Sequence, residues 1–348
     1  MGKAKRGASG LSFVVGIDKP AGMSSHDVVN RCRRIFGERR VGHTGTLDPL
    51  ASGALMICVG PATRLDAYLQ TDTKEYDARI VFGSATDTDD AAGTVIRTAP
   101  VPAELFDESF ASRKIAALVG NHNQIPPLYS AIKVDGVKGY EAARQGRVIE
   151  LAPRAIAVLS SAFLAMGLAD DGSLFWDAHF AVSKGTYIRS LARDLGRSLS
   201  TEAHLGALRR TRCGGLSLDD CVSLDALEEN PRIGWLDPVS LLGRRVLFAD
   251  AVQAKAVANG GFLLLPAPRI HGGRASLYSV DESRPLAQDG GCLCVAHVHP
   301  DLRPPEQGEI ISVVSDNKLV ALYAYESERS ALRPRCVFSQ GVSRGSDI

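Results

Sequence analysis

The run VGHTGTLDPLASG at 41–53 constrains this chain more than any other segment. Three glycines, a proline and several small polar residues stand between a helix-like stretch and the apolar run ALMICVG at 54–60. Such a composition supports neither a helix nor a buried strand; it reads as a loop whose backbone can approach another molecule closely. Asp48 ends the glycine-rich part and Pro49 follows it. Two roles are open to this pair. One is a helix N-cap with proline at the first helical position. The other is a lone carboxylate displayed by small residues to a sugar or base. His43 is placed either to contact the same ligand or to serve as a hydrogen-bonded structural group. A phosphate cradle is disfavoured, because the lysine followed by Ser/Thr of a nucleotide-binding loop is missing and no G-x-G-x-x-G follows a strand.

Around this loop the periodicities predict an alternation of strands and helices. LSFVVGI at 11–17 is a strand, and KPAG at 19–22 breaks it. In SSHDVVNRCRRIFG, Val28, Val29, Cys32, Ile35 and Phe36 recur at helical spacing. Ser24 and Asp27 form a start signal and Gly37 a stop. Arg31 and Arg34 share the opposite face, toward solvent or RNA. Tyr76, Ala78, Ile80 and Phe82 alternate along a strand at 75–83. TDTDDAAGT at 86–94 reads as a solvated acidic turn, and 103–120 as helical. The segment 121–150 holds two prolines, several glycines and the cations Lys133, Lys138, Arg144 and Arg147; it reads as an inserted arm. Strands are expected near 154–166 and 173–182, and a helix over YIRSLARDLGRSL. The pattern resets near 237–246, and 246–342 reads as a small, mostly β domain with one short helix.

Composition narrows the class. A 45% apolar fraction excludes disorder, and no window approaches the ~20 apolar residues of a membrane helix. The basic start lacks the apolar stretch of a secretory signal. Seven scattered cysteines argue against a disulfide framework and for a reducing cytoplasm. Lys+Arg 40 against Asp+Glu 39 gives no overall bias. The first forty residues are nonetheless strongly cationic, the footprint of a polyanion-binding face or of an exposed basic helix and tail. CLCVAHVH at 292–299 resembles a metal site only until strand alternation is applied: Cys292 and Cys294 share one face, His297 and His299 the other. The acids at 87–90 lack a calcium-loop pattern. No metal is expected, and no Ser-His-Asp triad can be assigned.

Several collinear segments together resemble the bacterial TruB-type tRNA pseudouridine synthases. They are KPAGMSSHDVV at 19–29, VGHTGTLDPLASGAL at 41–55, EYDARIVFGSATDTDDAAG at 75–93, QIPPLYSAIKVDGVKGYEAARQG at 124–146, SKGTYIRSLARDLG at 183–196 and AHLGALRRTRCG at 203–214. The resemblance implies an α+β catalytic domain over 1–240, built on a large, mostly antiparallel sheet. It further implies an RNA-binding arm at about 121–150 and a PUA-like RNA-binding domain over 246–342. The segment 268–307 is longer than the family norm. The implied reaction turns uridine 55 in the T loop of tRNA into pseudouridine after base flipping, with no cofactor, in a monomer that needs no protein partner.

The same resemblance makes Asp48 the catalytic carboxylate, leaving open whether it attacks the sugar, takes the C2′ proton or adds to the base. It pairs Arg189 with Asp48, stacks Tyr76 on the target base, lines the uracil pocket with Tyr187 and Leu208, and sends His43 into the gap left by the flipped base. Phosphate contacts are expected from Lys19, Arg31, Arg34, Lys133, Lys138, Arg144, Arg209, Arg210 and Arg212, although Lys19 and Pro20 also suit shaping the loop behind Asp48. Two further functions remain in view: a non-catalytic tRNA-binding or tRNA-folding protein of the same fold, and a pseudouridine synthase acting on another RNA.

Overall fold

A computed structural model describes residues 9–70, 73–129, 133–134, 137–138, 151–264 and 305–345. In β1 (Phe13–Lys19), Phe13, Val15 and Ile17 enter one apolar cluster and Val14 enters another. A strand covered on both faces needs this near-continuous apolar run. Helix α1 (Ser25–Phe36) starts in a capping box between Ser24 and Asp27 and stops at Gly37 in the left-handed conformation, as the sequence predicts. The first part of the expected loop is a short strand, β2 (Val41–His43), and β3 (Ser52–Val59) follows the loop. Helix α2 (Asp66–Leu69) leads to β4 (Thr73–Phe82), then to the hairpin β5 (Ser84–Thr86) and β6 (Val95–Thr98).

The region 103–120 is less helical than its sequence predicts. A 3-10 turn spans Ala103–Phe106, and Asp107 caps the short α3 (Glu108–Ala116). Strand β7 (Gly120–Gln124) opens the inserted arm. Of the arm beyond residue 129, only the backbone of β8 (Lys133–Val134) and β9 (Val137–Lys138) is described, and Lys133 pairs with Lys138. Arg144 and Arg147 lie outside the described residues. The long hairpin β10 (Arg154–Leu168) and β11 (Leu174–Ser183) precedes α4 (Ile188–Ser198) and β12 (Ala203–Cys213). After β13 (Leu216–Ser217) come α5 (Leu224–Glu229) and β14 (Trp235–Leu236).

Ten of these strands form one sheet in the order β14-β1-β3-β12-β4-β11-β10-β7, with β2 on β3 and β13 on β12; β5 with β6 and β8 with β9 form separate hairpins. Every pairing is antiparallel except β3 with β12, where only Ser52 and Gly53 meet Arg209 and Arg210. That crossing is close: at Gly53, with φ +102°, a Cβ would sit 2.3 Å from the Arg210 carbonyl oxygen. Glycine is the residue that permits it. Helices α1, α3 and α4 cover one face, where Val28, Ile115, Leu191 and Leu195 pack with Ala78, Ile80 and Trp176.

The second sheet, in the order β15-β17-β18-β19-β16, uses β15 (Val246–Phe248), β16 (Leu263–Leu264), β17 (Ile310–Ser315), β18 (Lys318–Glu326) and β19 (Ala331–Ser343). The two sheets share a core. Val14, Ala54, Met56 and Cys58 pack in one cluster with Leu319, Leu322, Phe338 and Val342. Arg64 also donates to the Val337 carbonyl at 2.7 Å. The CLCVAHVH run at 292–299 lies outside the described residues, and among the described ones no group of His, Cys, Asp or Glu could hold a metal. No helix among them is long and apolar enough to cross a membrane.

Candidate active site

Between His43 and Ser52 the chain is fixed from below. Ser25 Oγ accepts from Leu47 N and donates to Leu47 O, both at 2.9 Å. Gly22 N donates to Pro49 O at 2.8 Å. No helix follows Pro49. The capping role open to Asp48 in the sequence is therefore removed, and its carboxylate remains for something else.

That carboxylate meets Arg189, the second residue of α4, whose Nε stands 2.9 Å from Asp48 Oδ2. Among the described residues the Nε–H aligns on no acceptor, so its contact with Asp48 is an ion pair rather than a directed hydrogen bond. The other guanidinium nitrogens are directed: Nη1 donates to Thr88 O and Nη2 to Tyr129 O, each at 3.0 Å. Asp90 Oδ2 lies 3.7 Å from Nη1. Burial pushes the Asp48 carboxyl above its ordinary range; Arg189 opposes the shift and the nearby Asp90 adds to it. An ionised carboxylate in such a place attracts its counter-charge more strongly than it would in water.

The acidic turn is the main correction to the sequence reading. Asp90 is only 5% exposed, Thr88 Oγ1 donates to its side chain at 2.6 Å, and Asp89 pairs with Arg193 at 2.7 Å. These acids are the outer wall of the Asp48–Arg189 pair and not a solvated turn. Composition alone gives acids on a loop no sign of burial. One local hint exists: at Gly93 a Cβ would lie 2.3 Å from Thr88 Oγ1, so the turn folds tightly on itself. Arg193, one helical turn beyond Arg189, was likewise not singled out by the sequence.

Tyr76 is buried, and burial raises its phenol while the adjacent Arg210 guanidinium opposes that shift. Tyr76 and Arg210 are cross-strand partners, with Leu208 opposite Ala78 on the same face. A depression of about 480 Å³ is bounded by Ala21 and Leu50 beside the Asp48 loop and by Leu208, Arg79 and Arg209 from the sheet. Tyr187 caps α4 without a side-chain cap bond, two residues before Arg189. His43 ends β2; its buried Nδ1 has no hydrogen-bond partner among the described residues, and burial lowers its basicity.

Several residues expected at phosphates have other occupations. Arg210 is fully buried, donating to Ala54 O at 2.7 Å, Gly45 O at 3.2 Å and Thr46 O at 3.4 Å, so it props the loop from behind and cannot reach RNA. Lys19 is also buried, with Nζ on the Pro20, Met23 and Pro49 carbonyls, which leaves it the loop-shaping role. Arg31 bridges to Asp225 and Glu228 of α5. Arg209 pairs with Asp18, and Arg212 with Glu75. Among the described residues these cations do not form one uninterrupted positive face. Arg34 is exposed and has no ion-pair partner there.

The family profile described as the N-terminal domain of TruB family pseudouridylate synthases matches residues 33–188, and that of the tRNA pseudouridylate synthase B C-terminal domain matches 189–234. With the geometry above, they define the class as an RNA pseudouridine synthase. Among curated proteins, the chain is 45% identical over 254 residues to tRNA pseudouridine synthase B of Corynebacterium aurimucosum, covering 72% of this chain and 84% of that protein. It is 46% identical over 268 residues to the Mycobacterium bovis protein of the same name, covering 76% and 87%. The chain belongs to the TruB family of tRNA pseudouridine synthases.

Among solved structures, an H/ACA ribonucleoprotein bound to a substrate RNA containing 2′-deoxyuridine matches with a TM-score of 0.59 at 20% identity, over 94% of this chain and 85% of that one. A Cbf5-Nop10-Gar1 complex matches with a TM-score of 0.59 over 96% and 86%. At that identity these two show a shared fold, the mixed α and β architecture described above.

Proposed function

We propose that this enzyme isomerises uridine 55 in the T loop of tRNA, with Asp48 as the catalytic carboxylate. The observation that carries the reading is the half-buried Asp48 carboxylate held 2.9 Å from the buried Arg189, in a loop of small residues whose Leu50 and Ser52 border an open depression. The reaction breaks the N–C glycosidic bond, turns the base and joins it to the same sugar through carbon. It is redox-neutral, so its demands are a carboxylate at the sugar and base and a sheltered place for the detached uracil. Leu208 and Tyr187 serve as walls of that place, and Tyr76 packs on the base. Flipping a nucleotide out of a stack costs a few kcal/mol, and the half-buried imidazole of His43 offsets part of it by entering the gap. A folded loop with one splayed base is recognised by shape, with phosphate contacts from Arg34 and the arm fixing orientation. The enzyme works as a monomer in the cytoplasm, with its C-terminal sheet as a PUA-like RNA-binding module.

The test is incubation with an unmodified tRNA transcript, followed by base-by-base mapping of pseudouridine. Position 55 is expected to convert with the native enzyme, and no position with Asp48→Asn, which still binds the transcript. Conversion by Asp48→Asn, or modification only at other positions, would overturn the reading.

A further inference from the structure

The root of the arm is tied to α4 by a contact that no step above uses. Gln124, the last residue of β7, is 3% exposed. Its side-chain amide grips the backbone of Tyr187 at both ends: Oε1 accepts from Tyr187 N at 2.9 Å, and Nε2 donates to Tyr187 O at 3.0 Å. Tyr187 is the N-cap residue of α4 and offers no side-chain cap of its own. A helix start normally satisfies its free N–H groups through a capping side chain. Here a distant glutamine fixes the residue at the cap, two positions before Arg189.

The neighbouring contacts run the same way. Ser190 Oγ donates to Ile125 O at 3.0 Å, Arg193 Nη2 to Ile125 O at 2.8 Å and Arg189 Nη2 to Tyr129 O at 3.0 Å. The segment 124–129 and the first turns of α4 therefore form one hydrogen-bonded unit. Arg189 is a long side chain reaching Asp48 across a gap, and its reach is set by where the helix begins. A shift there of about 1 Å is enough to cost roughly 100-fold in a positioned reaction.

We infer that Gln124 is a positioning residue for the reaction: by clamping the Tyr187 backbone it sets the start of α4, and thereby the register of Arg189 against Asp48. This rests on the proposed role of Asp48. The amide does not touch Asp48, and it acts through the helix it holds.

The test uses the full chain with tRNA transcript under single-turnover conditions across pH, in two neutral variants. Gln124→Met keeps the length and loses both hydrogen bonds; Gln124→Asn keeps an amide but falls one methylene short. Both are expected to bind tRNA within about threefold of the native enzyme and to react about 10- to 100-fold more slowly. Their acid limb is expected at higher pH, because a displaced Arg189 opposes the burial of Asp48 less. Where Gln124→Met lowers the yield of folded protein, Gln124→Asn carries the same readout. An acid limb unmoved in Gln124→Asn, whatever the loss of rate or melting temperature, would make the glutamine merely structural and overturn the inference. Failure of the native enzyme to modify position 55 would instead overturn the reading of Asp48.

Discussion

Arg189 holds Asp48 with one nitrogen and two carbonyls with the others: Nε is 2.9 Å from Asp48 Oδ2, while Nη1 and Nη2 donate to Thr88 and Tyr129. The guanidinium is therefore both the counter-charge of the carboxylate and the joint between the acidic turn and the arm root. A planar fork with fixed donors suits this double task, and an ammonium does not.

Arg189→Lys follows from that geometry. The charge is kept, the fan of donors is lost, and the single-turnover rate is expected to fall about 100-fold. Burial already raises the Asp48 carboxyl, and a less well placed cation opposes that shift less. With the carboxylate as the reactive form in the proposed reaction, activity is expected to disappear at a higher pH on the acid side. A pH–rate profile overlapping that of the native enzyme would contradict this account.

Arg210 carries a different expectation because it is fully buried behind the loop. Arg210→Met leaves the Ala54, Thr46 and Gly45 carbonyls without their donor and is expected to cost about 2–4 kcal/mol of stability. Urea unfolding measures this. The salt dependence of tRNA binding should stay unchanged, since the side chain reaches no phosphate.

For Lys19, burial brings the ammonium down to about 8 from its ordinary value of 10.5, with Asp48 opposing the shift. Its folded pKa lies below its unfolded one. Between those values the unfolded chain binds more protons, so this residue makes stability rise with pH from about 8 to about 10.5. Subtracting the stability–pH curve of Lys19→Met from that of the native protein should leave this upward slope. A flat difference would show that the ammonium is solvated.

The helix α1 arginines separate by partner. Arg31 is engaged by Asp225 and Glu228, whereas Arg34 is exposed without an ion-pair partner among the described residues. Arg34→Ala is expected to weaken tRNA binding and reduce its salt slope by about 1, and Arg31→Ala to leave that slope in place. Titrations at several salt concentrations distinguish the two; equal slopes for both variants would refute the assignment.

Local signals predicted local structure well. The capping box at Ser24 and Asp27, the stop at Gly37, the alternation in β4 and the strand at 173–182 all appear where the residues place them, because each depends on neighbours within a few positions. The region 103–120 failed for the complementary reason: its apolar spacing fits a helix, but Asp107 caps a new start and Gly120 begins a strand. β12 was not assigned as a strand from its sequence, and its place between β3 and β4 depends on pairing with segments far away in the chain.

By itself, the sequence determined the loop around Asp48, the helix that carries Arg189 and the family both belong to, since these are written in short-range patterns and in collinear motifs. Only the tertiary structure decided which charges are available. Lys19 and Arg210 turned inward to hold carbonyls, Arg31 and Arg209 found acids, and Asp89 and Asp90 closed on Arg193 and Arg189 respectively. A charged side chain looks the same in a sequence whether it faces water or a buried partner. What distinguishes the two is desolvation and the groups the fold brings within about 4 Å.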